Sequence, residues 1–344
     1  MYILILLTFL TINLSANAIA RENLYIVGSS TIFPFSRDVA SFFDKNDIFP
    51  EPVIESSGSG DGINLFCKGI GVEFPDIAAA SRKITKQEIE NCEKNNVNSF
   101  TELKIGFDGI AFVTSGDMAG KKLTLNNIWR ALSPFGGANN QRNVNLPQVW
   151  SEIDENLPEK EIKILLPPPT SGTRDSLIEL AMKKGCIFQG ASAAERCKEI
   201  REDRAVIEGT EDDSALVKYL KEDNDVVGVV GYSYLTTYQS SISAIGINKI
   251  FPLPVTIQNR TYPLSRPLFL YAKNKHVEII PGMEEFLFEF ISDAALGEQG
   301  YLIDEGLVPL MIDEFEAEFD KFTTELYSCL LYTSPSPRDR QKSR

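Results

Sequence analysis

Histidine is nearly absent from this chain of 344 residues, which contains one His and five Cys. The single His276 lies in the polar stretch 273–277 and is expected to be exposed. A zinc site would therefore need thiolates at spacings that fit no common motif. A Ser–His nucleophile pair is equally unsupported, because the only His is expected to be exposed. We expect no metal site, no cofactor and no enzymatic activity.

Positive charge is also scarce, since 34 Lys and Arg stand against 48 Asp and Glu and give a net charge of -14. Nucleic acids and acidic membrane surfaces both require a positive footprint. The composition therefore excludes them as partners. A small anion can still bind, because backbone N–H groups, hydroxyls and one or two Arg act locally, and charge elsewhere is screened beyond about 8–10 Å.

Long apolar runs are confined to the N-terminus, and no later stretch approaches the roughly 20 apolar residues that span a bilayer. Residues 2–14 are apolar, and Ala16-Asn17-Ala18 supplies the small residues of a signal-peptidase site. Residues 1–18 are therefore predicted to be a signal peptide, which implies an exported, soluble, periplasmic protein. A buried first strand or an incomplete N-terminus is the alternative, because no Lys or Arg precedes the run.

Four of the five Cys form two local pairs, Cys67 with Cys92 and Cys186 with Cys197. In an exported chain these separations suit two disulfides that close modest loops, each worth about 2–4 kcal/mol. Buried thiols are the alternative. The fifth, Cys329, opens a segment rich in Ser, Pro and Arg, unlike the acidic chain before it. Residues 329–344 are interpreted as a non-native tail that resembles translated vector sequence, and they are left out of the fold prediction.

The chain is 43% hydrophobic and 24% charged, which is enough to bury at least one large core and predicts two. A short apolar strand followed by a polar turn and a helix recurs four times, with strands at 23–28, 52–57, 76–80 and 162–166. This alternation predicts a mostly parallel α/β architecture, in which ligands bind beyond the C-terminal ends of the strands. Two further strands, 105–114 and 226–232, are predicted to cross between two lobes.

Turns rich in hydroxyls follow these strands at Ser29-Ser30-Thr31, Ser57-Gly58-Ser59, Ser81-Arg82 and Ser171-Gly172-Thr173-Arg174. First-turn N–H groups of a helix bind phosphate or sulfate oxygens, and Arg adds a bidentate fork. A single such turn is more often an ordinary helix cap. Four together, two of them with Arg and none with the Lys of a nucleotide-binding P-loop, predict a site for a tetrahedral oxyanion.

Six segments in a fixed order carry a more specific resemblance: 28–34, 58–62, 76–82, 108–113, 171–174 and 229–232. Together they resemble the substrate-binding protein of high-affinity phosphate ABC transporters over roughly residues 23 to 325. The resemblance implies the type II periplasmic binding-protein fold, in which two α/β lobes close over a dehydrated phosphate. Lobe 1 would comprise residues 19–113 and 256–328, and lobe 2 residues 114–255.

The resemblance also implies a set of ligand-binding residues, drawn from both lobes. They are Ser30, Thr31, Ile32, Ser59, Ser81, Arg82, Ser171, Gly172, Thr173 and Arg174.

Two departures from the family pattern concern charge. Well-known members have an Asp after the Ser of the third motif, which accepts the proton of hydrogen phosphate, whereas this chain has Arg82. They also have an Arg four residues before the Ser-Gly-Thr, where this chain has Pro167, so Arg174 is expected to replace it. Asp61 is the candidate proton acceptor, with an ordinary turn or N-cap Asp as the alternative. Without an acceptor, discrimination between phosphate and sulfate would weaken.

The chain is thus predicted to be a monomer that captures inorganic phosphate and delivers it to the membrane permease of an ABC transporter. Another tetrahedral oxyanion, such as sulfate or molybdate, and a phosphate-sensing role are the alternatives. A hydrolase is a further, less favoured alternative.

Overall fold

The computed structural model describes residues 21, 23–43, 49–136, 141–169, 171–189, 193–210, 213–277 and 279–326. The predicted signal peptide, 1–18, and the predicted non-native tail, 329–344, lie outside the described residues. Within the described ranges, each helix is too short or too polar to span a bilayer.

Twelve strands and fourteen α-helices are assigned within these ranges. The strands are β1 Tyr25–Gly28, β2 Val53–Ser56, β3 Ile77–Ala80, β4 Phe100–Thr114, β5 Lys122–Leu123, β6 Phe135–Gly136, β7 Gln141–Arg142, β8 Ile164–Leu166, β9 Val206–Glu208, β10 Val227–Gly231, β11 Ser243–Ile247 and β12 Ser265–Lys273. The helices are α1 Phe33–Phe43, α2 Ser59–Phe66, α3 Lys86–Lys94, α4 Leu125–Leu132, α5 Gly172–Ser176, α6 Lys183–Gly185, α7 Ala193–Arg196, α8 Asp213–Glu222, α9 Tyr232–Thr237, α10 Pro254–Gln258, α11 Asn274–Val277, α12 Met283–Phe290, α13 Asp293–Leu296 and α14 Ile312–Glu325. A π-helical segment, Leu177–Met182, joins α5 to α6.

The main sheet has ten strands and runs in the order β2-β1-β3-β12-β4-β10-β8-β9, with β11 paired to β4 and β5. Strands β1, β2 and β3 are parallel, as are β8, β9 and β10, whereas β12 and β4 pair antiparallel to their neighbours. The predicted α/β architecture is confirmed, because each half of the sheet contains strands that are followed by a turn and a helix, as the sequence predicts.

Strand β4 is shared by both halves of the sheet. Its residues 100–109 pair with β12, and its residues 110–114 pair with β10 and β11. The prediction that 105–114 crosses between the halves is therefore correct. The prediction that 226–232 also crosses between the halves is wrong, because β10 pairs with β4 and β8 inside the second half.

Two large hydrophobic cores lie on the two halves. The chain passes from one core to the other at the start of β12. Ile257 and Leu264, before this point, pack in one core, and Leu268 and Leu270, after it, pack in the other. The lobe boundaries at 113/114 and 255/256 stay a prediction.

Close backbone packing explains two glycines beside the sheet edge at which β1 ends. Gly28 has a φ of 134°, and a Cβ there would lie 2.1 Å from the Ala79 carbonyl oxygen. A Cβ on Gly62 would lie 2.4 Å from the Gly28 Cα. Helix α2 therefore approaches the end of β1 directly.

Both predicted cysteine pairings are confirmed. Cys67, which caps the C-terminus of α2, is bonded to Cys92 of α3 over a sequence separation of 25. Cys186 is bonded to Cys197 over a separation of 11. Each disulfide closes a local loop, so each restricts the unfolded chain.

The expectation that His276 is exposed is wrong, since only 1% of this residue is exposed. Its Nδ1 lies 2.6 Å from Asp76 Oδ1, and its Nε2 accepts a hydrogen bond from the Gly71 amide at 3.0 Å. Arg21 donates to the same Asp76 carboxylate at 2.7 Å. Asp76 precedes β3, so this cluster lies at the edge of the sheet opposite to the strand-end turns.

Candidate functional site

The turns that follow β1, β2 and β3 converge because the three strands are parallel and end at the same edge of the sheet. Ser59 Oγ accepts a hydrogen bond from the Ser81 amide at 3.0 Å, and the two hydroxyl oxygens are 3.1 Å apart. Ser81 is only 7% exposed. Two predicted ligand-binding hydroxyls from separate turns are therefore held together.

The predicted turn of the other half of the molecule meets this edge. A Cβ on Gly172 would lie 2.7 Å from the Thr31 amide nitrogen, so the two turns approach more closely than a larger residue allows. Ser30 Oγ donates a hydrogen bond to Asp175 Oδ2 at 3.1 Å. The structure thus brings residues near positions 30 and 172 into direct contact.

Arg266, which the sequence analysis missed, lies at this contact. Its Nε donates to Asp108 Oδ2 at 3.3 Å, and its Nη2 contacts Thr31 Oγ1 and the Gly172 carbonyl oxygen. The residue is 7% exposed, and its Nη1 has no hydrogen-bond partner among the described residues. A buried guanidinium with a spare edge is a strong donor for an oxyanion.

Arg82 occupies the rim of the same region. Its two Nη atoms donate to the Glu88 carboxylate at 2.9 and 2.7 Å. Glu88 also accepts from the Thr85 amide and completes the capping box of α3. The hydrogen bonds and charge of Glu88 raise the pKa of Arg82, so this guanidinium stays charged and is fixed in orientation.

Three of the predicted site residues lie elsewhere. Arg174 donates to the Pro167 carbonyl oxygen at 3.1 Å and pairs with Glu208 at 3.1 Å, so its guanidinium lines neither of the cavities described below. The Ile32 side chain is fully buried in a core, and its amide donates to the Ser29 carbonyl oxygen. Asp61 is exposed and lines neither cavity.

Two cavities flank the contact between the turns, and both are lined by Ser30 and Thr31. The first, about 710 Å³, is named the cationic cavity. Its hydroxyl donors include Ser59 and Ser81. Among the residues that the structure describes, five cations and two carboxylates line it: Arg82, Lys83, Lys183, Lys184 and Arg266, with Asp175 and Glu179.

The second, about 660 Å³, is named the acidic cavity. It is lined by Ser171, Gly172 and Thr173 of the second turn, and the charged residues that line it in the described part of the chain are all carboxylates. These carboxylates belong to Asp108, Asp304 and Glu305. Of the ten residues predicted to bind the ligand, eight therefore line one cavity or the other, and Ile32 and Arg174 do not.

Two cores joined by a shared strand, with hydroxyl-bearing turns facing each other between them, define a two-lobed α/β binding protein. Residues 15–294 match the family model described as a PBP superfamily domain. The chain belongs to the PBP superfamily.

Individual relatives agree with this assignment and confirm the resemblance read from the motifs. The chain is 30% identical to Protein SphX of Synechocystis sp. over 281 residues, which cover 80% of this chain and 75% of the relative. It is 26% identical over 283 residues to the phosphate-binding protein PstS of Staphylococcus epidermidis, which covers 80% of this chain and 77% of that protein. Among solved structures, a possible phosphate-binding protein from Planctomyces limnophilus superposes with a TM-score of 0.70 at 24% identity, covering 88% of this chain and 98% of that one.

Proposed function

We propose that this protein is an extracytoplasmic receptor that captures inorganic phosphate between two lobes and is not an enzyme. The observation that carries the proposal is the lining of the cationic cavity. Five cations and two carboxylates line it among the described residues, and three of the cations pair with carboxylates outside the lining, Arg82 with Glu88, Lys83 with Glu102 and Arg266 with Asp108. These ion pairs hold guanidinium donors beside the hydroxyls, and the donors act locally, so this lining favours an anion although the net charge of the chain is -14.

The phosphate occupies the junction between the turns, where Thr31, Ser59, Ser81 and Arg266 are gathered. The Thr31 hydroxyl and one hydroxyl of the Ser59–Ser81 pair can each donate a hydrogen bond to a phosphate oxygen, and Nη1 of Arg266 supplies a charge-assisted donor. Asp108 holds Arg266 through Nε, and Thr31 and Gly172 accept from Nη2, so Nη1 is left for the ligand. Preorganised donors of this kind reduce the free-energy cost of ordering on binding.

Closure of the lobes completes the site in this proposal. The lobes are residues 19–113 with 256–328, and 114–255. In the structure, Ser30 contacts Asp175 and Arg266 contacts the Gly172 carbonyl oxygen, both across the cleft. An anion that bridges the same groups makes contacts in the closed form that the open form lacks. Binding therefore shifts the equilibrium toward closure.

Asp175 takes the role of proton acceptor in this proposal, in place of Asp61. It lines the cationic cavity, whereas Asp61 is exposed outside it. Among the described residues its carboxylate accepts only from Ser30, through Oδ2, which leaves Oδ1 for a ligand O–H. A carboxylate in an anion site repels fully ionised sulfate but accepts a hydrogen bond from hydrogen phosphate, so it gives selectivity.

The physiological role follows the resemblance noted in the motifs. The exported monomer presents bound phosphate to the membrane permease of an ABC transporter in the periplasm. Delivery to a sensor is the alternative, and a ligand-dependent contact with the permease would separate the two.

Calorimetric titration of ligand-free protein with phosphate, sulfate and molybdate tests the proposal. Wild-type protein is expected to bind phosphate one to one and more tightly than sulfate. Ser59→Ala with Ser81→Ala is expected to weaken phosphate binding by about 3 kcal/mol, since each donor lost beside an anion costs about 1.5–3 kcal/mol. The matched control, Thr323→Ala with Thr324→Ala, removes two hydroxyls that bond within α14. Absence of binding to all three oxyanions would refute the proposal.

A further inference from the structure

The turn that follows β3 contributes to the wall of the cationic cavity, and its residues, 81–85, are named the Ser81 turn. Its start is held by α2, because the Ser81 amide donates to Ser59 Oγ at 3.0 Å. Its later part is held by the sheet, because the Ile84 amide donates to the hydroxyl oxygen of Tyr271 at 2.8 Å. Tyr271 lies on β12 and is fully buried. A backbone group of the turn is therefore fixed by a side chain of the sheet beneath it.

Glu102 connects this tyrosine to the rim of the cationic cavity. It lies directly opposite Tyr271 in the antiparallel pairing of β4 with β12. Its Oε2 accepts a hydrogen bond from the Tyr271 hydroxyl at 3.0 Å, and its Oε1 lies 2.9 Å from Lys83 Nζ. Burial raises the pKa of Tyr271, so the hydroxyl keeps its proton for Glu102 while its oxygen accepts from Ile84. One strand pair therefore holds both Lys83 and Ile84 of the Ser81 turn.

Apolar packing surrounds this connection. The Ile84 side chain packs against a small core that contains Tyr271 and Phe269. The Phe100 ring meets the Tyr271 ring edge-on, with centroids 6.0 Å apart. Close packing leaves the Tyr271 ring little freedom to move, and a hydrogen bond in such a low-dielectric setting is strong. The Tyr271 hydroxyl is therefore a fixed point against which the Ile84 amide is placed.

We propose that Tyr271 and Glu102 are positioning residues of the phosphate site, which hold the Ser81 turn so that its donors meet the anion. This inference rests on the proposed phosphate site and deepens it, because neither residue is among the described residues that line the cationic cavity. Loss of the Tyr271 hydroxyl leaves the Ile84 amide without its acceptor, so the turn gains conformations in which Ser81 and Arg82 are displaced. Ordering the turn again on binding then lowers the affinity.

Calorimetric titration with inorganic phosphate tests the inference. Tyr271→Phe is expected to weaken binding about three- to tenfold, the range that one hydrogen bond contributes. The matched control, Tyr25→Phe, removes a hydroxyl that donates to Glu55 at 2.8 Å, an exposed tyrosine–glutamate pair on the same sheet. The control is expected to bind phosphate with unchanged affinity.

A second background shows whether the effect of Tyr271 passes through the turn. Ser81→Ala with Arg82→Gln removes the two side chains that the turn presents to the cavity. If Tyr271 acts by placing them, Tyr271→Phe should cause little further loss of affinity in this background, because coupled sites are not additive. A general loss of stability would instead cause the same loss in both backgrounds.

Glu102→Ala gives a test of opposite sign and does not depend on the folding of Tyr271→Phe. Loss of this carboxylate leaves Lys83 unpaired at the cavity, which by charge alone strengthens the binding of an anion. Loss of positioning weakens it, and we expect binding to weaken about three- to tenfold. Thermal unfolding of each variant establishes that it is folded.

Unchanged affinity in Tyr271→Phe would overturn the inference, as would an equal loss in Tyr25→Phe. So would an equal loss in the background that lacks the Ser81 and Arg82 side chains, or unchanged or stronger binding by Glu102→Ala. In each of these cases tight binding by the wild type would leave the proposed function standing. Absence of phosphate binding by the wild type would refute the proposed function and the inference with it.

Discussion

Lys273 gives the most direct test of the energetics of this fold, because it is a fully buried cation. It ends β12 and is 0% exposed. Its Nζ donates to the Gly69 carbonyl oxygen at 2.6 Å and lies 4.8 Å from the Phe66 ring centroid. Burial lowers the pKa of Lys273 from 10.5 to about 8, against the opposing influence of the Asp76 carboxylate.

The shift predicts that stability rises with pH. The unfolded chain keeps the Lys273 proton up to about pH 10.5, whereas the folded chain releases it near pH 8. The cost of burying the charge is therefore fully present below pH 8 and disappears as the pH approaches 10.5. At 1.36 kcal/mol per unit, the whole shift is worth about 3 kcal/mol, of which about 2 kcal/mol is recovered between pH 7 and 9.5. Above pH 10 burial of Tyr262 and Tyr271, whose pKa values are raised, opposes this gain.

Urea unfolding between pH 7 and 9.5 measures the effect. The difference in free energy of unfolding between wild type and Lys273→Met should change by about 2 kcal/mol over this range, in favour of the wild type as the pH rises. The control, Lys275→Met, removes an exposed Lys two positions along and should show no such change. An identical pH dependence in wild type and Lys273→Met would show that Lys273 is not desolvated in the folded protein.

Three further predictions concern the site and the disulfides. Arg266→Lys removes the planar guanidinium and should weaken phosphate binding in calorimetry by about 1.5–3 kcal/mol; unchanged affinity would remove Arg266 from the site. Arg174→Gln should leave phosphate affinity unchanged, since that guanidinium pairs with Glu208; a tenfold loss would restore Arg174 as a ligand. Cys67→Ser with Cys92→Ser should lower the free energy of unfolding by about 3 kcal/mol in urea titrations, because the disulfide spans 25 residues; an unchanged midpoint would contradict this.

Local sequence was sufficient to predict the turns at the strand ends. The end of β1 at Gly28 and the small residues 58–62 identify places where a strand ends and a helix begins. Both features depend on residues that are close in sequence. Parallel pairing then places such turns at one edge of the sheet, which is why Ser59 and Ser81 could be assigned to one site.

The residues that sequence reasoning missed depend on distant partners. Arg266 contacts Thr31 across 235 positions, and in the sequence it appears only as a charged residue at the start of an apolar strand. His276 was expected to be exposed because its neighbours are polar, but its partner Asp76 lies 200 positions away. A burial argument from flanking residues fails where the side chain is satisfied by tertiary hydrogen bonds.

The orientation of each arginine near the cleft is decided by the carboxylate that holds it. Glu88 holds Arg82 at the rim of the cationic cavity, and Asp108 holds Arg266 at the junction of the turns. Glu208 holds Arg174 away from both cavities. An arginine lies beside the turn in the sequence Ser171-Gly172-Thr173-Arg174, but the sequence does not show which carboxylate pairs with it. Because a charge-assisted hydrogen bond to a carboxylate fixes a guanidinium, the distant carboxylate determines which arginine lines the cavities.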